Sequence, residues 1–467
     1  MYRKTWVKTK NKMFIIVDYI ISCGETIKIG VVGGGAREHA ICESIARSNV
    51  EIFSYSHNKN PGIIKISRKH MQIDESKISE IADDMEKNNI DIAIIGPEVP
   101  LVLGITDELD KKGISVFGPD RKAAQIEGSK FFARNLMAKY HIKGNIPYKR
   151  IEKKEDIERE IKNWKVPFVI KPIGLTAGKG VKVWGDHFTT FNEAIKYGYE
   201  IFDSRIGGSE GFIIENKVEG EEFTLQAVVD GNNALFFPLV QDHKRLLEGD
   251  MGVNTGGMGS YSFSDGKLPF VKENHYKEAM EIMKETINAM GKEGIKYKGI
   301  LYGSFMETPT GPFLIEYNCR FGDPEGINTL NSIKTDFMDI VRYTLEGKLN
   351  ELNIQFNNIS TVCKYIVPKG YGVNPVSNKP LQIDEEIYKI SNLKIYFASV
   401  NEINGVIHTT TSRAIALLGA GNSLEEAEKV CQKGIEHIKG EIYYRKDIGT
   451  QELINKRISH MEKLNNK

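Results

Sequence analysis

Residues 313–325, which read F-L-I-E-Y-N-C-R-F-G-D-P-E, combine residue types that suit phosphoryl chemistry. Strand side chains alternate between two faces, so Glu316, Asn318 and Arg320 share one face. The oxygens of Glu316 and Asn318 suit a magnesium ion that holds nucleotide phosphates, and Arg320 can bind a carboxylate or a phosphoryl group. The alternative is an edge strand whose polar face is merely solvated.

A lysine in an apolar strand, followed by a glycine-rich segment, is the second chemical feature. Lys171 lies in the predicted strand 168–172, and G-L-T-A-G-K-G-V at 174–181 leads into a β-branched run at 182–184. Such a loop can cover phosphates with its backbone N–H groups and Lys179. It is not a Walker A loop, because Gly180 stands where Ser or Thr is needed. Lys171 could instead extend its ammonium group to solvent.

Three further segments could complete a ligand site. The predicted strand 212–215 runs into a linker at 216–223, which could present backbone groups to adenine and an acid to ribose hydroxyls. Residues 241–245 and the glycine-rich 254–259 could cradle a small polar ligand. The alternatives are an ordinary charged turn for the linker and a solvated loop for 241–245.

The elements that must position these groups begin with strand 26–32, a turn at 33–35 and a helix, a unit that could hold a phosphate at the helix start. A nicotinamide cofactor is disfavoured because Glu38 occupies the third-glycine position of the dinucleotide fingerprint. A purely structural turn remains equally open. Strands at 91–95 and 115–117, alternating with helices such as 77–88, predict an open parallel sheet.

Composition narrows the class of protein. A chain of 467 residues with 40% hydrophobic content predicts about three domains. Its 63 basic and 62 acidic residues nearly cancel, so nucleic acid and anionic membranes are not favoured and small-molecule partners are expected. Five cysteines without a C-x-x-C pair indicate a reducing cytosol. We interpret residues 1–25 as an extension, because Asp18 interrupts their short apolar run.

The motifs occur in an order that resembles the phosphoribosylamine–glycine ligase (glycinamide ribonucleotide synthetase) family of the ATP-grasp superfamily. The resemblance covers residues 27–449. It rests on G-G-G-A-R-E-H-A at 33–40, G-P-E-V-P-L at 96–101, E-G-S-K at 127–130, the 174–181 loop, Q-D-H-K-R at 241–245, N-T-G-G-M-G at 254–259, N-C-R-F-G-D-P-E at 318–325 and R-K-D-I-G at 445–449.

The resemblance implies a multi-domain protein of α/β and α+β class. After the extension, an N-terminal open parallel-sheet domain of the biotin-carboxylase-like type would span 26–129 and an ATP-grasp domain 130–348. A small C-terminal α+β domain would span 349–449, followed by a tail helix at 450–467. From its residues the third domain shows little obvious chemistry, and a structural cover is the favoured interpretation.

The activity implied is that of a carbon–nitrogen ligase in de novo purine biosynthesis. ATP would phosphorylate glycine, and the amine of 5-phosphoribosylamine would attack the glycyl phosphate to give glycinamide ribonucleotide, ADP and phosphate. The family uses Mg²⁺ or Mn²⁺. We expect a cytoplasmic protein with no nucleic-acid or membrane partner, in line with its cysteines and balanced charge, and a monomer or weak homodimer.

Motif matching also implies roles for individual residues. Lys171 and Arg320 would be catalytic, with Arg320 stabilising the acyl phosphate, and Glu316 and Asn318 would bind the metal. The implied ATP contacts are Lys130, Lys171, Gly174, Gly178, Lys179, Gly180, Glu215, Val218 and, for the ribose, Glu221. The implied contacts of the other substrates are Gly34, Gly35, Arg37, Glu38, Asp242, Lys244, Asn254, Thr255, Gly256, Gly257 and Asp323.

Some positions depart from the family pattern. Ile173 stands where an Asp is common, Asn216 where a second Glu is common, and Gly326 where a Thr is frequent. A further metal ligand from the preceding strand would have to be Ser304 or Glu307.

Three other functions remain to be compared with the ligase. A ribonucleotide carboxylase or transformylase of the same superfamily finds no support in the motifs at 241–245 and 254–259. A Rossmann-type oxidoreductase fails at Glu38. A catalytically inactive nucleotide-binding protein is disfavoured by the intact Lys171, Glu316 and Arg320.

Overall fold

The computed structural model describes residues 26–165, 167–176, 180–208 and 210–466. The predicted extension at 1–25 lies outside the described residues, as do Gly178 and Lys179 of the predicted phosphate loop. In the part of the chain that the structure describes, no helix is both long and apolar enough to cross a membrane.

The N-terminal unit is a five-stranded parallel sheet in the order β3-β2-β1-β4-β5. Its strands are β1 (Ile27–Val32), β2 (Val50–Ser56), β3 (Lys69–Gln72), β4 (Ile92–Ile95) and β5 (Ser115–Phe117). The central strand β1 is almost entirely buried, as expected for a parallel sheet covered by helices. The helices are Ala36–Ile45, Pro61–Ile66, Ile78–Lys87, Glu98–Leu103, Ile105–Lys111 and Gln125–Gly128. The predicted open parallel sheet is confirmed.

The second unit contains two four-stranded sheets, in the orders β6-β9-β7-β8 and β11-β10-β16-β17, and the two-stranded β13-β14 hairpin. Its strands are β6 (Tyr148–Ile151), β7 (Phe168–Pro172), β8 (Lys182–Val183), β9 (Phe212–Asn216), β10 (Glu221–Asp230), β11 (Ala234–Phe236), β12 (Gln241–Asp242), β13 (Arg245–Leu247), β14 (Met251–Asn254), β15 (Gly259–Ser262), β16 (Lys298–Thr308) and β17 (Gly311–Asn318). The helices are Lys130–Lys139, Ile157–Asn163, Phe191–Asp203, Glu273–Lys292, Glu325–Ser332 and Phe337–Glu346.

Two antiparallel strand pairs of this unit lie next to the residues that the sequence singled out. β7 pairs with β8 in antiparallel fashion around the glycine-rich loop, and β16 pairs with β17. In the second pair Glu316 stands opposite Ser304 and Asn318 stands opposite Tyr302. β17 is an edge strand, which agrees with the alternative interpretation of residues 313–325 as a solvated edge strand. Its polar face nevertheless lines a deep cleft, so that face is not merely solvated.

The third unit extends a sheet that begins in the second. Strand β18 (Ser360–Pro368) pairs with β15, so the sheet runs β12-β15-β18-β23-β20. The remaining strands are β19 (Pro380–Ile383), β20 (Leu393–Phe397), β21 (Val400–Ile403), β22 (Val406–Thr409), β23 (Ile415–Gly421), β24 (Ile438–Lys439) and β25 (Ile442–Tyr443). The sequence pattern at 394–400 predicts a single strand. This prediction is wrong, because β20 ends at Phe397 and β21 starts at Val400. At this break, asparagine side chains of the N-terminal unit bind the carbonyls of Phe397 and Ala398.

Two helices complete the third unit, Leu424–Glu436 and the C-terminal helix Gln451–Asn465. The C-terminal helix starts at Thr450, whose hydroxyl accepts a hydrogen bond from the N–H of Leu453. Its apolar side buries Ile454, Met461 and Leu464 in the large core that all three units share. Arg457 lies on this same side, three residues after Ile454 and four before Met461, and from there it contacts Glu221 of the second unit.

Candidate functional site

One cleft of about 1090 Å³ brings together residues of all three units and of the C-terminal helix. It contains most of the residues that the sequence singled out. Those that line it are Arg37, Lys130, Lys171, Glu215, Val218, Glu221, Asp242, Lys244, Asn254, Thr255, Gly256, Glu316, Asn318, Arg320 and Asp323.

A smaller set of predicted residues lies near the cleft but does not line it: Gly34, Gly35, Glu38, Gly174, Gly180 and Gly257. The carboxylate of Glu38 accepts hydrogen bonds from the N–H of Gly35 at 2.8 Å and from Nε of Arg37 at 2.6 Å. Glu38 thus holds Arg37, which lines the cleft and donates to the carbonyl of Phe321. The predicted contacts of these six residues with substrates are not tested by the structure and stay predictions.

Lys171 belongs to a buried cluster of charges. Its ammonium group pairs with Glu215 and donates to the carbonyl of Ile315 at 3.2 Å. Arg134 binds the other oxygen of Glu215 at 3.0 Å. Burial opposes ionisation of Glu215, but Arg134 and Lys171 lower its pKa. This network fixes Lys171 at the cleft, and the carboxylate of Glu215 is used to hold Lys171. The linker that follows Glu215 also lines the cleft.

Glu316 lies among cations. Burial opposes its ionisation, yet the charges of Lys244, Lys130, Lys171 and Arg320 lower its pKa. An ionised Glu316 beside the amide oxygen of Asn318 offers the hard oxygen ligands that Mg²⁺ prefers, and nucleotide phosphates commonly complete such a site. The two side chains therefore fit a divalent cation bound together with a nucleotide.

The preceding strand adds little to this ligand set. Among the described residues, no group of three or more His, Cys, Asp and Glu side chains could hold a metal ion. Glu307 does not line the cleft and accepts a hydrogen bond from His275 at 2.7 Å. Ser304 stands opposite Glu316 in the strand pair and is buried.

Arg320 is held by two carboxylates of the N-terminal unit. Its Nε lies 3.3 Å from Glu98 and one terminal nitrogen lies 3.1 Å from Glu127. Burial opposes ionisation of Glu98, but Arg320 and Arg37 lower its pKa. Burial raises the pKa of Glu127 to about 6 despite Arg320. The motifs at 96–101 and 127–130 thus position a guanidinium that lines the cleft.

Asp242 and Lys244 differ in how they are held. Lys244 donates to Glu222 at 2.8 Å. Burial raises the pKa of Asp242, and the neighbouring charge of Glu325 adds to the increase. Oδ1 of Asp242 has no hydrogen-bond partner among the described residues. A buried carboxyl with an unused acceptor at the cleft is suited to receiving a proton or a donor group from a substrate.

Asp323 is organised by the third unit. The guanidinium of Arg413 binds its carboxylate at 2.9 Å and its carbonyl at 2.8 Å, and Tyr365 donates to its second carboxylate oxygen. Arg413 also binds the carbonyl of Gly256 at 2.6 Å and lines the cleft. Sequence reasoning missed Arg413, because it lies in no motif and no nearby residue reveals its partners.

Glu221, the predicted ribose ligand, is engaged by the C-terminal helix. Arg457 pairs with one oxygen of its carboxylate, and Nδ1 of His460 lies 2.6 Å from the other. Both helix residues line the cleft. Sequence reasoning missed them as well, since the helix carries no motif of its own.

Comparisons with known proteins agree with this geometry. Three family models of phosphoribosylglycinamide synthetase match in chain order, the N domain at residues 27–127, the ATP-grasp (A) domain at 128–326 and the C domain at 361–451. The chain is similar to the phosphoribosylamine–glycine ligases of Methanocaldococcus jannaschii, at 47% identity over 443 residues, and of Methanobrevibacter smithii, at 45% over 440. Each match covers 94% of this chain and 100% of the relative.

Solved structures give the same result. The crystal structure of phosphoribosylamine–glycine ligase from Thermotoga maritima superposes with a TM-score of 0.77 at 28% identity, covering 90% of this chain and all of the other. The biotin carboxylase domain of 2-oxoglutarate carboxylase from Hydrogenobacter thermophilus, solved with MgADP and bicarbonate, reaches 0.69 at 14% identity and 93% coverage of both chains. The second likeness concerns the fold alone. The predicted fold class and family are confirmed.

Proposed function

This chain belongs to the phosphoribosylglycinamide synthetase family, and we propose that its cleft joins glycine to 5-phosphoribosylamine through a glycyl phosphate intermediate. It is a carbon–nitrogen ligase that forms glycinamide ribonucleotide in purine biosynthesis at the expense of ATP. The observation that carries the mechanism is that Lys171, Glu316, Arg320 and Asp242 all line one cleft.

ATP binds along the side of the cleft formed by the two sheets of the second unit. The linker at 215–218 faces adenine, Glu221 accepts the ribose hydroxyls, and Lys130 and Lys171 contact the phosphates. Among the described residues of the glycine-rich segment, Leu175, Thr176 and Val181 line the cleft, which supports a role of this segment in covering the phosphates. Support comes from the cleft lining and from the buried pair of Lys171 and Glu215, which aims a cation at the cleft.

Glu316 and Asn318 would hold a divalent cation, Mg²⁺ or Mn²⁺, which would supply positive charge to neutralise the ATP phosphates. Arg320 stabilises the charge that develops as a glycine carboxylate oxygen attacks the γ-phosphorus. The P–O bond to ADP breaks and glycyl phosphate forms. A preorganised guanidinium is effective here because Glu98 and Glu127 already fix its position.

Phosphoribosylamine binds on the opposite side, between the turn at 33–39 and the cradle at 254–259. Its amine attacks the glycyl carbonyl, the C–O bond to phosphate breaks, and the amine loses one proton. The carboxyl of Asp242 receives that proton, a role supported by its position in the cleft lining together with Lys244. A carboxyl whose pKa is raised is a stronger base than an exposed one.

Oxygen-isotope transfer tests the intermediate. With glycine labelled by ¹⁸O in both carboxylate oxygens, the bridging oxygen of glycyl phosphate leaves with the phosphate. One ¹⁸O atom should therefore appear in each phosphate released, as measured by mass spectrometry. Unlabelled phosphate from a reaction that produces glycinamide ribonucleotide would exclude the acyl phosphate route.

A further inference from the structure

The C-terminal helix contributes two basic side chains to the nucleotide end of the cleft. Arg457 and His460 are three positions apart, so they point from the same side of the helix. The buried residues Ile454, Met461 and Leu464 fasten the helix to the core. The helix is therefore a fixed support from which Arg457 and His460 reach the carboxylate of Glu221.

Each oxygen of the Glu221 carboxylate is engaged by one of these residues. Arg457 donates to Oε2, and Nδ1 of His460 lies 2.6 Å from Oε1. An ionised carboxylate only accepts hydrogen bonds and offers about four lone-pair sites. Each oxygen thus keeps a further acceptor site, and Glu221 itself lines the cleft. Two acceptor sites at a fixed orientation match the two hydroxyls of a ribose.

Arg457 is in turn held by a second carboxylate. Its other terminal nitrogen binds Asp250 at 2.8 Å, and Asp250 also binds Arg445 of the R-K-D-I-G motif at 2.8 Å. Burial opposes ionisation of Asp250, but the hydrogen bond with His243 and the charges of Arg457 and Arg445 lower its pKa. The network connects the third unit to Glu221, so the orientation of that carboxylate depends on residues at the end of the chain.

We infer that Arg457 and His460 are positioning residues for nucleotide recognition, which orient Glu221 so that its carboxylate selects a ribose bearing both hydroxyls. This inference rests on the proposed role of Glu221 as the ribose acceptor. It assigns the C-terminal helix to the nucleotide site, in addition to its packing on the core.

The test compares the affinity of the full-length protein for ADP and for 2′,3′-dideoxy-ADP, measured by calorimetry with Mg²⁺ present. Wild-type protein should bind ADP at least about tenfold more tightly, because hydrogen bonds to a charged group are strong. Arg457→Ala should reduce this ratio about fivefold or more, with little change in affinity for the dideoxy nucleotide. Arg457→Lys should restore part of the ratio, and His460→Ala should lower it.

Matched variants separate this inference from the role of Glu221 itself. Glu221→Ala should abolish the preference, and adding Arg457→Ala to it should cause no further change. If the Glu221→Ala variant still prefers ADP over 2′,3′-dideoxy-ADP, the proposed contact between Glu221 and the ribose is wrong. If Glu221→Ala loses the preference and Arg457→Ala keeps it, only the positioning role is wrong.

A control variant and a stability measurement distinguish a positioning role of Arg457 from a general loss of folding. Ser459→Ala, an exposed change on the same helix, should leave the ratio unaltered. A variant that merely disturbs the fold would lose affinity for both nucleotides and melt at a lower temperature. Tighter binding of ADP by Arg457→Ala would also overturn the inference, because the helix would then compete with the ribose for Glu221.

Discussion

The two sides of the cleft are built differently. On the side proposed for the nucleotide phosphates, Lys171 is held by Glu215 and Arg134, and all three belong to the second unit. On the side proposed for phosphoribosylamine, Asp323 of the second unit is held by Arg413 of the third, and Arg37 of the N-terminal unit binds the carbonyl of Phe321. The cluster around Lys171 is therefore assembled within one unit, whereas the contacts of Asp323 and Arg37, like those of Glu221 with the C-terminal helix, are made between units.

This difference predicts how the two sides respond to mutation. A network within one unit forms when that unit folds, so its loss should affect ATP alone. The contacts of Arg413 and Arg37 depend on how the units meet, so their loss should affect the second substrate and leave ATP binding intact. Arg320 lies where the two sides meet. Its carboxylate partners belong to the N-terminal unit, whereas Arg320 itself follows the strand of the second unit that carries Glu316.

The largest effect is expected at the junction, from Glu316→Ala. Without its carboxylate, Lys130, Lys171 and Lys244 lose a negative charge that they share, and the metal loses the one charged ligand of the proposed set. Turnover should fall by about 10³-fold or more, whereas the melting temperature changes little. Steady-state kinetics with a Mg²⁺ titration measures this, and Glu351→Ala, at an exposed site, serves as the control. Full activity in Glu316→Ala would refute the metal assignment.

Arg413→Ala should produce the next largest effect. It frees Asp323 and the carbonyls of the 254–259 cradle, and each lost hydrogen bond to a charged group contributes about 1.5–3 kcal/mol. We expect the KM for phosphoribosylamine to rise at least about tenfold while the KM for ATP stays within about twofold. Ser412→Ala, at the exposed neighbouring position, should behave as wild type. A rise in both KM values would show that the two sides are not independent.

Arg134→Ala tests the side proposed for ATP, and here we expect the KM for ATP to change and the KM for phosphoribosylamine to stay constant. Glu215 keeps Lys171 but loses its second partner, so the orientation of Lys171 relaxes. The KM for ATP should rise about tenfold, with the KM for phosphoribosylamine unchanged. Lys139→Ala on the same helix is exposed and provides the control. An effect confined to phosphoribosylamine would contradict assembly of the nucleotide side within the second unit.

The smallest effect is a pH dependence where the N-terminal and third units meet. Nδ1 of His39 accepts a hydrogen bond from the N–H of Phe397, and burial lowers the pKa of His39 from 6.5 to about 4. The folded protein therefore binds this proton less readily than the unfolded chain. Stability is fully present above pH 6.5 and is lost as the pH falls toward 4, by about 3 kcal/mol.

His39→Gln removes this proton while keeping an acceptor for Phe397. Urea unfolding at several pH values should show a shallower loss of stability below pH 6.5 in the variant than in the wild type. Equal slopes in the two proteins would mean that His39 does not govern the acid sensitivity of this contact.

Local patterns were enough to single out several side chains that the structure brings together in one cleft. Alternation along the strand identified Glu316 and Asn318, and a lysine before a glycine-rich loop identified Lys171. Each of these signals lies within about ten residues, the range over which strand periodicity and turn chemistry act. The open parallel sheet followed for the same reason, from strands alternating with helices.

Residues whose role depends on distant partners could not be predicted. Glu98 lies 222 positions from Arg320 and Glu221 lies 236 positions from Arg457, and periodicity carries no information over such separations. The third unit was expected to be a structural cover, yet Arg413 and the C-terminal helix line the cleft. The break after Phe397 was missed because its hydrogen-bond partners belong to the N-terminal unit.

The central claim is that both sides of the cleft must be filled for ATP to be consumed productively. The most direct measurement is ADP release by the full-length protein, coupled to a spectrophotometric assay, with each substrate omitted in turn and with bicarbonate or formate in place of glycine. We predict ADP release only when ATP, glycine and phosphoribosylamine are all present, with glycinamide ribonucleotide formed in equal amount. Turnover that does not require glycine, or that bicarbonate or formate sustains, would contradict the account.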